Sequence, residues 1–480
     1  MAAGTGRAGG GAEFGTGGGG GPGVSGVGGG VGIGLGFGVG VGPYAELAFD
    51  AEGDTDRAGA EAVAAMEATD LLVFAHGWNS DRSTSTRLYD RFFAPFPGLV
   101  GPGVRLGYAG VFWPSIRFSD EPIPDFESLG ALAEPGHGTA LDPQTRRALG
   151  EFWPGREAQL DRIAELLEDR PESQSALAEF GALVRELAGV GEADAAGVAG
   201  VPVAGAAWAA AVADGDRREV PAIFVEDVRE VCRALAAGLA AAGGPAPGAG
   251  DGPGLTAGAS VRMLWGGAKE LLRQASYYQM KKRAGVVGER GLGPVLAELA
   301  ARRPALRMHL IGHSFGARVV SFALRAVPDG ARYAASLTLL QGAFSHYAFA
   351  DRLPHDRGRG GTLRGLQHKV AGPVVACHSE HDSALKVFYP LASRMAGDSA
   401  GLLGFDERWG AVGHDGVQAV PGAPRLTLDA ALRQGVPAAG CVSVDAASVV
   451  RRGGPPSGAH SDICHEELAR VVVAAGRMGR

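Results

Sequence analysis

Apolar residues in this chain gather in short continuous runs separated by amphipathic stretches. Residues 71–75 (LLVFA), 104–113 (VRLGYAGVFW), 308–311 (MHLI), 336–341 (SLTLLQ), 373–377 (PVVAC) and 441–444 (CVSV) are runs of this kind. A strand with one wet face would alternate, so these continuous runs predict strands buried on both faces. Residues 43–50 read as a further, first strand. Residues 57–68, 83–93, 291–302, 317–324 and 463–475 read as intervening helices, the last capped by Ser461 or Asp462. Strand alternating with helix predicts the α/β class, a mostly parallel, doubly wound sheet with helices on both faces. In such sheets, functional groups collect in the loops that leave the carboxyl ends of the strands.

The alternation breaks twice. Residues 116–288 carry Ala- and Glu-rich amphipathic stretches (157–169, 173–187, 225–242), with softer links at 195–214 and 243–258. A gap of about 170 residues between two sheet strands is too long for a loop and predicts a mainly helical insertion or cap. Residues 1–42 contain 22 glycines, and ordering so much glycine costs too much backbone entropy for the segment to fold readily alone. The chain therefore divides into a disordered tail (1–42), a first part of the core (43–115), the insertion (116–288) and a second part of the core (289–480). Residues 14–45 are nearly charge-free, but their glycine content speaks against a stable membrane span or a secretory signal.

Charge and cysteine usage narrow the partners. The 480 residues carry a net charge of -7 without a long basic patch, which disfavours nucleic acid. Cys232, Cys377, Cys441 and Cys464 lie far apart without CxxC spacing, so free thiols and a cytoplasmic location are expected. His378 with His381, and His465 beside Cys464, lack metal-site spacing, so no metal is expected. No P-loop or protein-kinase motif occurs, and no cofactor is expected. The basic-aromatic stretch 277–283 reads as a solvated helix end, and Arg352, Arg357, Arg359 and Arg364 as solvated arginines of a Gly-rich loop.

The run 308–311 leads into Gly312-His313-Ser314-Phe315-Gly316, and a helical stretch follows. Strand, G-x-S-x-G turn and helix together predict a sharp bend that exposes the serine hydroxyl. Serine is a weak nucleophile at its own pKa and needs a base, typically a histidine held by a carboxylate. Asp382 follows the run 373–377, with Glu380 and Asp445 as substitutes; Asp382 also suits a helix N-cap. His460 lies in the last loop, with His465 as its rival. His76-Gly77-Trp78-Asn79 follows the run 71–75.

These motifs (HGW at 76–78, GHSFG at 312–316, HSEHD at 378–382, GAHSD at 458–462) resemble those of the α/β-hydrolase superfamily, in which the order is nucleophile, acid, histidine. The resemblance covers the chain from about residue 44 onward, apart from the insertion. It implies Ser314 as nucleophile, Asp382 as acid and His460 as base. It also implies an oxyanion hole from the N–H of Phe315 and that of Trp78 or Asn79, with His76, Gly77, Gly312, His313 and Gly316 in support. The expected activity is hydrolysis of an ester, thioester or related acyl bond of a small molecule, a lipid-like one among the candidates. Amide cleavage or acyl transfer with the same triad, and a non-catalytic binding protein of the same fold, are the alternatives.

Overall fold

A computed structural model describes residues 38–118, 140–190, 222–224, 226–241, 257–389, 410–455 and 457–479. Among them, eight strands form one sheet: β1 Tyr44–Ala48, β2 Asp70–Ala75, β3 Leu106–Phe112, β4 Arg307–His313, β5 Ala334–Leu340, β6 Pro373–His378, β7 Arg425–Thr427 and β8 Gly440–Asp445. Their spatial order is β1-β3-β2-β4-β5-β6-β8-β7, and every pairing is parallel. β2 and β6 are buried along their whole length, and β4 everywhere but Arg307. That double burial explains why their apolar runs do not alternate.

Successive residues of one strand feed different cores. Leu71 and Val73 of β2 and Leu310 of β4 face one core. Against it pack α1 (Arg57–Ala65), α8 (Gly293–Arg302) and α9 (Phe315–Ala323). Leu72, Phe74 and Ile311 face the other core, which is closed by α2 (Arg82–Phe93), α10 (Leu428–Gln434) and α11 (Glu466–Gly476). Residues 38–42, expected to belong to the disordered tail, join this second side. Val39 and Val41 pack against it, and Gly40 N–H donates to Asp90 Oδ1 at 2.6 Å. The remainder of the expected tail lies outside the described residues.

Within 116–288 the described helices are α3 (Pro143–Phe152), α4 (Glu157–Asp169), α5 (Gln174–Leu187), α6 (Val228–Ala241) and α7 (Ala257–Val286). The expected link at 195–214 and most of the one at 243–258 fall outside the described residues, and residues 257–258, expected in that link, open α7 instead. α7 runs through a π turn, Val287–Leu292, into α8, so the expected boundary at residue 288 lies inside one helical run. Gly267 and Gly288 explain the close helix crossings there. A Cβ on Gly267 would stand 1.9 Å from Cys232 O, and one on Gly288 2.3 Å from Val319 O.

Three other local expectations are corrected. Residues 277–283 are an interior stretch of α7, not a solvated end. Met280 is fully buried, and burial lowers the Lys282 ammonium to about 8. Between residue 397 and the run 441–444, where no further element is expected from the sequence, the described residues add β7 and α10. Helix α11 starts at Glu466, with His465 as its N-cap and no side-chain capping bond. Neither Ser461 nor Asp462 caps it, because the Asp462 carboxylate serves the loop before it. It accepts from the N–H groups of Arg451 and Arg452 at 3.0 and 2.8 Å.

Candidate functional site

Ser314 follows β4 directly and holds φ 56° and ψ -120°, a region that a residue with a side chain rarely adopts. Three backbone bonds pin it there. Its N–H donates to Leu340 O at 3.0 Å, and its own carbonyl accepts from Ala317 N and Ala343 N at 3.1 Å each. The flanking glycines make the bend possible by close approach. A Cβ on Gly312 would lie 2.4 Å from Ala317 N and Gly316 O. One on Gly316 would lie 1.9 Å from Ala75 O and 2.5 Å from His76 O.

Gly316→Ala is therefore expected to be among the more disruptive single-methyl changes in the chain. Backbone atoms on β2 and its following loop cannot swing away as a side-chain tip could. Overpacking of this kind costs about 1–3 kcal/mol or more. Gly150 in α3 is the control, since its added Cβ would meet only the flexible Arg146 guanidinium at 3.4 Å. There alanine should add about 0.5–1 kcal/mol of stability through helix propensity. Urea melts of the two variants check the contrast, and equal midpoints would contradict it.

The loop after β6 and the loop after β8 bring the other two side chains to the serine. A bridge between Asp382 and Gly458 joins the loops, reinforced by Ala459 N–H to His381 O at 2.9 Å. Gly458 has φ +60°, and a Cβ there would meet His381 O at 2.5 Å, so glycine is required at this junction. His460 Nδ1 lies 2.7 Å from Asp382 Oδ2, and His460 Nε2 lies 2.8 Å from Ser314 Oγ. An ionised carboxylate only accepts, so the proton sits on Nδ1, and Nε2 is left to accept from the serine hydroxyl. All three residues are nearly or fully buried.

The Asp382 carboxylate makes a local and a distant contact at once. Its Oδ1 accepts from Leu385 N–H at 3.0 Å, while Oδ2 takes the imidazole. Asp462 closes the histidine loop from behind, with Arg452 Nη2 at 3.0 Å and His465 Nε2 at 2.9 Å. His465, the rival base, is thus turned toward Asp462. Neither substitute acid is paired with His460.

The loop after β2 runs along the serine. A Cβ on Gly77 would come within 2.9 Å of Ser314 Cβ, which places the Gly77-Trp78 backbone beside the hydroxyl. His76 stacks on Trp113 with ring centroids 5.6 Å apart, and its Nδ1–H donates to Gly77 O at 2.7 Å. Asn79 Oδ1 accepts from Phe118 N–H at 2.8 Å. On the other side, Phe315 and Gly316 occupy the first turn of α9, where N–H groups have no intrahelical acceptor and the helix dipole is positive. His313 Nε2–H donates to His460 O at 2.9 Å and so braces the loop carrying the imidazole.

The cavity beside Ser314 is lined by His313 and His460, by Trp78 and Leu88, and by polar Asn79, Ser80, Thr84 and Ser461. Arg352, Arg357, Arg359 and Arg364 are not among its walls. Among the described residues, no group of three or more His, Cys, Asp or Glu is arranged to hold a metal ion. No described helix is long and apolar enough to cross a membrane. The four cysteines are free, with Cys464 alone partly exposed. No known protein family, curated protein or solved structure matches this chain. Its chemistry must be read from the site itself.

A second Ser–His–Asp chain exists at the opposite, amino-terminal edge of the sheet. His309 Nε2 lies 3.0 Å from Asp70 Oδ1, and His309 Nδ1 lies 2.9 Å from Ser336 Oγ. All three are buried, none lines the cavity beside Ser314, and Arg307 adds an ion pair to Asp70 at 3.0 Å. It acts as a hydrogen-bonded tie between β2, β4 and β5.

Buried histidines couple the fold to pH. Burial lowers His76 to about 4; burial and the neighbouring His460 lower His313 to about 3. Burial also lowers His309. The unfolded chain takes up the His76 and His313 protons near 6.5, whereas the folded chain refuses them until well below that. Stability is therefore fully present above pH 6.5 and falls as pH drops from there toward 3–4. The loss is roughly 1.4 kcal/mol per pH unit for each histidine in that window. Urea midpoints should begin to fall between pH 6.5 and 5, above the range where carboxylates titrate. A midpoint unchanged down to pH 4.5 would contradict the buried, neutral histidines.

Proposed function

We propose that this protein is a serine hydrolase of α/β-hydrolase type, cleaving an ester or related acyl bond. The observation that carries this reading is the relay Ser314 Oγ, His460 Nε2, His460 Nδ1, Asp382 Oδ2, with links of 2.8 and 2.7 Å, built around a serine at φ 56°. A strained serine with its hydroxyl hydrogen-bonded to an oriented imidazole has a plain chemical use and no evident structural one. The all-parallel sheet and the chain order of the three residues agree with the resemblance seen in the sequence.

In this reading His460 Nε2 takes the Ser314 proton as Oγ attacks the acyl carbonyl. Asp382 stabilises the imidazolium, and the N–H groups of Phe315 and Trp78 receive the developing oxyanion. The imidazolium then protonates the departing alkoxide, leaving an acyl group on Ser314. A water deprotonated by His460 attacks that acyl carbon, and collapse of the second tetrahedral intermediate releases the acid and restores the serine. The test is covalent labelling by a fluorophosphonate. The wild-type chain should label on Ser314 and turn over a p-nitrophenyl ester, and S314A should do neither. A folded wild-type protein that does not label would instead favour a non-catalytic binding protein.

A further inference from the structure

The cavity beside Ser314 is small. Its free volume is about 30 Å³, roughly a fifth of the ~150 Å³ apolar cavity that accommodates a benzene ring. None of its described lining residues is Asp, Glu, Lys or Arg. Two of its hydroxyls are already engaged. Thr84 Oγ1 accepts from Arg117 at 2.6 Å, and Ser80 Oγ pairs with Ser85 Oγ at 2.7 Å. Among its described walls, the space next to the serine thus offers no charge to an ionised group, and its free volume leaves little room for a long chain before it opens outward.

The wall that limits it is braced from outside. The Trp78 ring lies 5.8 Å from Phe118 and 5.8 Å from Tyr277, edge-on to the latter. Tyr277, from α7, rests 4.7 Å from Phe315, the residue after the serine. Phe118 is covered by the Arg273 guanidinium at 4.7 Å, also from α7. Its N–H is tied to Asn79, as described above. An indole clamped between two rings cannot give way without displacing α7 or the residue 118 segment.

We infer that the acyl group this site accepts is short and uncharged, of acetyl or propionyl size, with Trp78 setting the limit and Tyr277 holding Trp78 in place. This rests on the serine-hydrolase reading and adds the substrate class. A long fatty-acyl chain would need the α7 brace to move first, so the lipid-like substrate entertained from sequence is disfavoured.

The experiment measures kcat/KM of the full chain for p-nitrophenyl acetate, butyrate and octanoate, and for a p-nitrophenyl monosuccinate. Rates of S314A are subtracted, and fluorophosphonate labelling is run in parallel. The expected result is a fall of at least 100-fold from acetate to octanoate, with the charged succinate also poor. Y277A should narrow the acetate-to-octanoate ratio at least tenfold by freeing Trp78. L88A, at a half-buried wall position, should narrow it too and serves if Y277A does not fold. An octanoate rate equal to or above that of acetate, or ratios unchanged in a folded Y277A, overturns the inference. Labelling without turnover of any ester also overturns it but leaves Ser314 as the nucleophile, whereas failure to label removes both readings.

Discussion

Replacing Ser314 with alanine is expected to lower kcat toward a p-nitrophenyl ester by roughly 10⁶-fold, the loss seen when a triad serine is removed. The fold should remain. The hydroxyl makes one bond in the structure, to His460 Nε2 at 2.8 Å, and a single hydrogen bond contributes about 0.5–1.5 kcal/mol net. The bend itself is held by the backbone of Ser314, through Leu340, Ala317 and Ala343. Glycine at the same position separates strain from chemistry. At φ 56° and ψ -120° a side chain costs on the order of 1–3 kcal/mol, which glycine does not incur. Part of that gain is offset by the freer unfolded chain. Ser314→Gly should therefore be as inactive as S314A yet more stable than it, by about 1 kcal/mol. Kinetics and urea melts on the pair check both halves. An S314A variant that retains a tenth of wild-type turnover would remove Ser314 from the chemistry, whatever its stability.

The elements that sequence made readable are those whose cause is local. Leu71 to Ala75 and Val374 to Cys377 are apolar throughout because both faces of their strands are covered. The bend at Ser314 announces itself because the two glycines that permit it are two residues away on either side. Helix α7 was hidden by the opposite situation. Gly266, Gly267 and Gly285 look like breakers, yet Gly267 and Gly288 are where α6 and α9 approach too closely for a Cβ. That requirement is set by partners far along the chain. The role of Tyr277 against Trp78 and Phe315 was unreadable for the same reason.

Capping fared similarly. Local rules offered Ser461 or Asp462 to α11, but a carboxylate goes where most donors converge, and Asp462 finds those of Arg451, Arg452 and His465. Asp382 has both a local and a distant partner. One oxygen accepts from Leu385 N–H three residues on, and the other from His460, which no spacing rule could have paired with it.

That divided carboxylate gives the second large effect. Asp382→Asn is expected to reduce kcat by about 10⁴-fold at neutral pH, with little change in stability. Asparagine keeps one oxygen, which can still accept from Leu385 N–H as Oδ1 does now at 3.0 Å. The amide nitrogen then faces His460 Nδ1, presently 2.7 Å from the carboxylate. Two donors cannot share that contact, so Nδ1 must become the acceptor and the ring proton moves to Nε2. The imidazole would then donate toward Ser314 where it now accepts, and it could not take the serine proton. Asp382→Ala removes the cap as well as the orienting charge, so it should add a stability loss of about 0.5–2 kcal/mol to the loss of turnover. The discriminating measurement is the pair together, by ester kinetics and thermal melting. Equal stabilities for D382N and D382A would deny the cap. A D382N enzyme within tenfold of wild type would show that His460 is oriented by something other than Asp382, and the relay would have to be redrawn around it.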